Sequence, residues 1–209
     1  MADRVRRHVV MSNWPVVLQH GLIRLRPLRQ RDGRSWIAVR KRSASWLQPW
    51  DATLPAAAAM HAEISPTFGA MVRRSRAEAK AGRTLPWALE YDGSFVGQVT
   101  VGGIAMGSLR GAYIGYWIDA DHAGKGIVPT AVAMACDYLI NELGLHRIEL
   151  NIRPENQASL RVAEKLKFTR EGLRPKYLHI DGQWRDHITY VLFEGDQPGG
   201  VLAGYLATQ

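Results

Sequence analysis

The sequence predicts an α+β chain, a mixed α/β sheet with helices packed on it, and three observations carry that expectation. The predicted elements run β, αα, βββ, α, β, α, ββ along the chain. Asp92-Gly93 and Asp181-Gly182 each separate two apolar runs, a strong signal for tight hairpins and hence for antiparallel pairing. Residues 113–130, YIGYWIDADHAGKGIVPT, read as a strand, a short loop, a Gly-Lys-Gly turn and a helix start.

Residues 1–13 are polar and basic without periodicity, which predicts a flexible basic arm. The domain proper is expected over 14–194. Residues 16–28 alternate around His20-Gly21 as a short hairpin, with Ile23 and Leu25 on one face of its second strand and Arg24 and Arg26 on the other. Residues 30–46 carry Trp36, Val39 and Trp46 as an apolar stripe among arginines, a helix, and Asp32 near its start suits the helix dipole. Residues 47–55 read as a loop whose Trp50 either lines a binding mouth or pins the loop to the core; pinning is the favoured reading. The alanine-rich run 56–81 is helical with an interruption near Ser65-Pro66, and Gly82 ends it.

Strands follow at 85–91, 95–104 and 111–119. A long helix after Gly126 buries Val132, Ala135, Leu139 and Leu143 along one face. A strand at 147–152 and a short helix at 156–165 come next, and Phe168 opens a further strand region. A final hairpin spans 177–193, and 195–209 is a glycine-rich tail expected to be flexible and loosely attached.

Composition limits the function classes. The chain has 209 residues, 46% hydrophobic and 22% charged, enough for one domain with a full core. The single cysteine, Cys136, excludes an internal disulfide and a multi-cysteine metal site, so no metal is expected and a reducing, cytoplasmic compartment fits. The sequence has no run of about 18 apolar residues for a membrane span, and no apolar stretch follows Arg6-Arg7 as a secretion signal would. The net charge of +8 is concentrated: residues 1–50 carry eleven Arg and Lys against Asp3 and Asp32. Such a block implies a polyanionic neighbour, with RNA the obvious one, or simply a solvated helix face.

The Gly124-Lys125-Gly126 turn opens a helix, so free main-chain N–H groups and the positive helix end make it a ready anion site. An unliganded strand-to-helix turn is an equal reading of these residues alone. Asn156 and Ser159 form Asn-x-x-Ser at the start of a helix; Asn156 is also a good N-cap, and Ser159 can bond within the first turn.

Three blocks stand together: GYWIDADHAGKGIVPTAV, NIRPENQASLRVAEKLKF and EGLRPKYLHIDGQWRDHITYVL. Their combination resembles the GNAT superfamily of acetyl-CoA-dependent N-acetyltransferases, over about residues 22–193. The third block resembles the RimJ branch, the ribosomal-protein N-terminal alanine acetyltransferases. The resemblance implies a mostly antiparallel central sheet with one splayed strand pair, helices on both faces, and acetyl-CoA as co-substrate. It places the coenzyme diphosphate on the amides of Gly124, Lys125, Gly126 and Ile127 in the loop that begins at Ala123, where Gln or Arg is usual. The pantetheine arm would pair with Trp117 and Ile118 like an added strand. Asn156 would contact that arm, Ser159 would protonate the leaving thiolate, and Lys125 and Arg161 would neutralise phosphates.

The resemblance implies as acceptor the N-terminal amine, alanine first, of a ribosomal protein. Residues 1–50 are then a candidate rRNA contact. A small-amine acetyltransferase and a non-enzymatic RNA-binding factor are the alternatives. The base does not carry over, since Leu178 stands where a related branch has glutamate. Glu90, Asp119, Glu171, His179 and Asp181 are candidates, and Glu171 is expected to act in catalysis with Asn156 and Ser159. His122 is expected beside the coenzyme. Tyr177, Trp184 and Asp186 are expected at the peptide entrance.

Overall fold

The structure is a computed structural model, and it describes residues 14–59 and 67–209. The predicted arm at 1–13 and the interruption near Ser65-Pro66 lie outside the described residues. Eight strands form one sheet in the order β1-β2-β3-β4-β5-β6-β8-β7. They are β1 (Leu18–His20), β2 (Ile23–Pro27), β3 (Leu85–Tyr91), β4 (Ser94–Ala105), β5 (Gly111–Ile118), β6 (Arg147–Ile152), β7 (Thr169–Ile180) and β8 (Gln183–Phe193). Every neighbouring pair is antiparallel except β5 and β6. Asp92-Gly93 and Asp181-Gly182 both take positive φ at their two central residues, the turn that matches strand twist.

Helices cover both faces, as the sequence predicts. On one side lie α1 (Gly33–Arg42), with α2 (Ala44–Leu47) leading on from it, and α4 (Phe68–Lys80); α3 (Ala56–Ala59) is a single turn in the connection between α2 and α4. A small core of Leu28, Val39, Val72, Ala88 and Phe95 seats α1 and α4 on the sheet. The other face carries α5 (Ile127–Asn141) and α6 (Gln157–Lys165), whose burial forms the main core. Val132, Ala135 and Leu139 are fully buried there.

Three elements differ from the sequence reading. The helix expected over 30–46 starts with a 3-10 turn, Gln30–Asp32, and breaks at Ser43. The break has a local cause: the Ser43 hydroxyl is drawn inward, donating to Asp119 at 2.7 Å and accepting from the Ala120 amide at 3.1 Å. The final hairpin is longer than expected, because β7 continues through bulges from Thr169. The expected loose tail instead ends in α7 (Val201–Leu206), docked on α5 with Val201 and Tyr205 buried. Asp137 of α5 accepts hydrogen bonds from the Val201 and Leu202 amides at 2.7 and 3.1 Å, capping that helix from outside.

Candidate active site

The parallel ladder between β5 and β6 is short. Gly111, Ala112 and Tyr113 pair with Arg147, Ile148 and Glu149, and beyond them the strands part. The Asp119 amide donates to the Val96 carbonyl at 2.7 Å, which fixes the hydrogen-bonding parity of β5 against β4. Residues two apart from Asp119 therefore face β4, and the amides of Ile114, Tyr116 and Ile118 face the gap. A strand-shaped ligand in that gap has main-chain partners waiting.

A cavity of about 570 Å³ occupies the gap. Gly115 to Ile118 form one wall, and the turn from His122 to Ile127 forms its mouth, apart from Lys125. Asn156, Ser159, Arg161 and Lys165 of the α6 segment form the opposite wall. Trp46, Leu47, Trp50 and Asp51 close the far side. On the face away from α5, Tyr113 is 47% exposed and no atom lies within 4 Å of where a Cβ on Gly115 would sit. A central strand is thus uncovered beside the cavity, open to a second ligand.

The mouth suits an anion. Gly124 and Gly126 take φ of +77° and +73°, a conformation L side chains rarely adopt. Nothing lies within 4 Å of a Cβ position on Gly124. Among the described residues, the amides of Gly124, Lys125 and Gly126 have no main-chain acceptor, and Ile127 opens a helix with no side-chain cap. The turn that carries these unpaired amides borders the cavity at a helix N-terminus, where anions are favoured.

Next to the mouth sits Asp119, fully buried. Its carboxylate accepts from the Arg42 guanidinium, from Ser43 at 2.7 Å and from His122 Nδ1 at 3.0 Å. Burial alone would raise its pKa. The hydrogen bonds from Arg42, Ser43 and His122 outweigh that and hold it at about 2. Asp119 therefore anchors α1 and the mouth loop and is a permanent anion.

Deeper in the cavity the Tyr116 hydroxyl is buried without a hydrogen-bond partner. Burial pushes its pKa up to about 12; the Ser159 hydroxyl lies close enough to oppose this in part, though not in the geometry of a hydrogen bond. A buried orphan hydroxyl lining a cavity points to a polar ligand atom.

Trp117, Ile118, Ala123, Gly124, Gly126, Ile127, Asn156, Ser159 and Arg161, predicted as site residues, all line the one cavity. Lys125 lies in the same turn with its side chain outside the lining. Asn156 Oδ1 accepts from the Ser159 amide at 3.0 Å, so it also serves as the N-cap of α6. The Trp117 main chain faces β4, so of the predicted strand partners only Ile118 presents its amide to the gap.

None of the five predicted base candidates lines the cavity. Glu171 is the clearest correction: it sits on β7 in a double hydrogen bond with Arg147, at 2.7 and 2.6 Å. Arg147 holds its carboxyl below the usual range, the opposite of what a general base needs. Glu90 is paired with Arg26 at 2.7 Å, Asp119 is buried as above, His179 bonds Thr53 at 2.8 Å and Asp181 accepts from Gln48 at 3.3 Å.

Tyr116 was missed because strand alternation assigns its side chain to the core, and nothing local marks its hydroxyl as unpaired. Trp50 fills both of the roles left open for it, and Trp46, expected on the apolar stripe of the 30–46 helix, joins it at the cavity. They line the cavity, and the segment bearing Trp50 is stitched to the β7–β8 tip and to Arg153 just past β6. The Thr53 amide donates to the His179 carbonyl at 2.9 Å, the Asp181 amide to Asp51 at 3.1 Å, and Arg153 to the Pro49 carbonyl at 2.6 Å. Tyr177, Trp184 and Asp186 are outside the lining; Asp186 accepts from the Lys176 amide at 2.7 Å within its own hairpin.

A sheet split at one parallel pair, with an amide-lined helix start at the mouth of the split, defines a class of coenzyme-dependent acyltransferase folds. The chain belongs to the GNAT acetyltransferase family, whose Acetyltransferase (GNAT) domain matches residues 23–169. It is similar to the structure of Mycobacterium smegmatis RimJ in complex with CoA-disulfide, with a TM-score of 0.86 and 36% identity, over 93% of this chain and 95% of that one. The probable N-acetyltransferase YjcK of Bacillus subtilis (strain 168) is 42% identical over 105 residues, 50% of this chain and 58% of that protein. The [ribosomal protein uS5]-alanine N-acetyltransferase of Escherichia coli (strain K12) is 35% identical over 105 residues, 50% of this chain and 54% of that protein. The matched segment spans little more than half the length of these two curated relatives. Among the described residues no helix is long and apolar enough to cross a membrane, and no cluster of metal-ligating side chains occurs.

Proposed function

We propose that this protein transfers an acetyl group from acetyl-CoA to the N-terminal amine of a protein, with a ribosomal protein beginning in alanine as the acceptor. The observation that carries the reading is the split between β5 and β6, with amides at both ends of its cavity. The likeness to a RimJ structure holding CoA-disulfide supports it.

In this reading the amides of Gly124 to Ile127 hold the diphosphate, with Lys125 and Arg161 as counter-charges. Ile118 and Asn156 hold the pantetheine arm. The thioester supplies an activated carbonyl. Main-chain amides of Tyr116 and Ile118 stabilise the oxygen that gains charge as the amine adds. The amine nitrogen bonds to the acetyl carbon, the carbon–sulfur bond breaks, Ser159 delivers a proton to the sulfur with Tyr116 beside it, and the proton that the nitrogen sheds returns to Ser159 through water.

The acceptor arrives over the uncovered face of β5, beneath Trp46 and Trp50. The two carboxylates lining the cavity are already committed: Asp51 to Arg40 at 2.5 Å and Glu155 to Arg153 at 3.2 Å. A polyamine needs free carboxylates along its length, and this cavity adds Arg161 and Lys165 instead. An α-amino group titrates near 8 and a lysine near 10.4, so a terminal amine is neutral some hundredfold more often at neutral pH. It can lose its proton to water without a dedicated side-chain base.

The test is acetylation of an Ala-starting peptide, free or blocked at its N-terminus, against spermidine. Turnover should require the free terminus, and kcat/KM should rise with pH and level off near the peptide's own amine pKa, about 8. Turnover of spermidine alone would reject the reading.

A further inference from the structure

Away from the cavity, α1 and α4 lie side by side on the same face of the sheet. The Phe68 ring meets Gly33, 3.0 Å from where a Cβ would sit, and its centroid is 5.4 Å from that of Trp36. The aromatics thus face inward between the helices. Outward, the α1 segment exposes Arg31, Arg34 and Lys41, and α4 exposes Arg73, Arg74, Arg76 and Lys80. None of these cations has a salt-bridge partner among the described residues. The nearby described acids are already taken: Asp32 by Arg26, Glu78 by Arg83 and Asp51 by Arg40. Two helices about forty residues apart in sequence therefore carry seven exposed cations without a salt-bridge partner on one side of the sheet, Arg74 alone lying close enough to Glu78 to lower its pKa.

We infer that this α1–α4 surface docks the phosphate backbone of folded RNA. The chemistry selects the partner. A membrane-binding helix carries Trp, Phe or Leu toward the lipid, and here Ile37 is the one large apolar side chain on the outward face of either helix. Single-stranded RNA is gripped by stacking on aromatic side chains, and Trp36 and Phe68 are turned away. What remains is a rigid array of guanidinium and ammonium groups, which reads phosphates and shape rather than bases. The surface is also tied to the active cavity. On the inner side of α1, Arg40 stacks over Trp117 at 5.2 Å and pairs with Asp51, while Arg42 holds Asp119 at the cavity mouth. Docked RNA would lie one helix away from the acceptor entrance. The inference shares the acceptor class with the proposed acetylation but does not depend on catalysis.

The experiment is fluorescence anisotropy of the full chain with a labelled RNA stem-loop between about 50 and 200 mM salt. The triple variant R73E/R74E/R76E and the double variant R34E/K41E should each weaken binding about tenfold or more and flatten the salt slope by roughly 0.7 to 0.9 per lost phosphate contact. Acetylation of a free Ala-starting peptide should be unchanged in both, which also reports that they fold. Wild-type RNA affinity in both variants overturns the inference. So does loss of RNA binding when CoA saturates the protein, which would move the anion to Arg161 and Lys165. Binding to phosphatidylglycerol vesicles but not to RNA overturns it in favour of a lipid surface. If no peptide is acetylated by any form, the proposed activity fails while the RNA measurement stands by itself.

Discussion

Tyr116 offers a clean separation of stability from function. Its hydroxyl is buried and unpaired, so the folded chain carries an uncompensated desolvation cost of about 1–3 kcal/mol. Tyr116→Phe removes that cost, and the melting temperature should hold or rise. If the hydroxyl meets the reacting end of the thioester, turnover should fall about 10- to 100-fold in the same variant. A variant equal to wild type in both respects would make Tyr116 a packing residue. Asp119 makes the opposite case. Its folded pKa is depressed to about 2, so its stabilising contribution is complete above the unfolded value of 3.8 and is lost as pH falls through about 2. The shift corresponds to about 2 kcal/mol near neutral pH. Asp119→Asn should lower stability at pH 7 by about that amount or more, and the difference from wild type should shrink as pH drops from 5 toward 2 in urea unfolding.

At the scale of elements, α7 shows what a sequence conceals. The residues 195–209 are glycine-rich and short of periodic apolar positions, so they read as loose. Their order comes from a partner 64 residues away, Asp137, which caps the helix, and from Tyr205, whose hydroxyl lies 3.2 Å from a Cβ position on Gly126. Neither tie has a local signature. The hairpins at Asp92-Gly93 and Asp181-Gly182 were legible because turn chemistry is local, and β5, β6 and α6 because strand and helix periodicity and the Asn156 cap are local too. The cavity's own polypeptide turn was legible for the same reason. Its roof of Trp46 and Trp50, the Ser43 break and the fate of Glu171 were not, since each depends on which distant side chain arrives beside it. The α7 contact makes a prediction: Tyr205 braces the Gly126 turn from behind. Tyr205→Ala should raise the KM for acetyl-CoA several-fold while the KM for the peptide stays put. Asp137→Asn, which weakens the cap by about 0.5–2 kcal/mol, should do the same to a smaller degree. A uniform loss in both KM values would assign α7 to general stability.

For the whole molecule, the decisive feature is how little joins its two halves at the sheet. β1 to β5 and β6 to β8 share one short parallel ladder of three residue pairs, and the rest of that seam is cavity. A ligand lying in the seam would supply the missing ladder, bonding to Ile118 on one side and to the α6 segment on the other. Coenzyme binding should therefore be felt as a cross-link rather than as a surface contact. At a hundredfold excess over Kd, binding to the folded state alone is worth about 2.7 kcal/mol. For a chain of this size that is a rise in melting temperature of roughly 5–10 °C. The location matters more than the size. Hydrogen exchange should slow most at Tyr116 and Ile118, whose amides face the gap, and at the Gly124 to Ile127 turn. Trp117, already bonded toward β4, should change less than its two neighbours. That alternation at three consecutive residues is a register-level signature, and no ligand bound elsewhere on the sheet would produce it. A thermal shift with flat exchange across residues 116–118 would place the coenzyme outside the seam and remove the basis for the proposed chemistry.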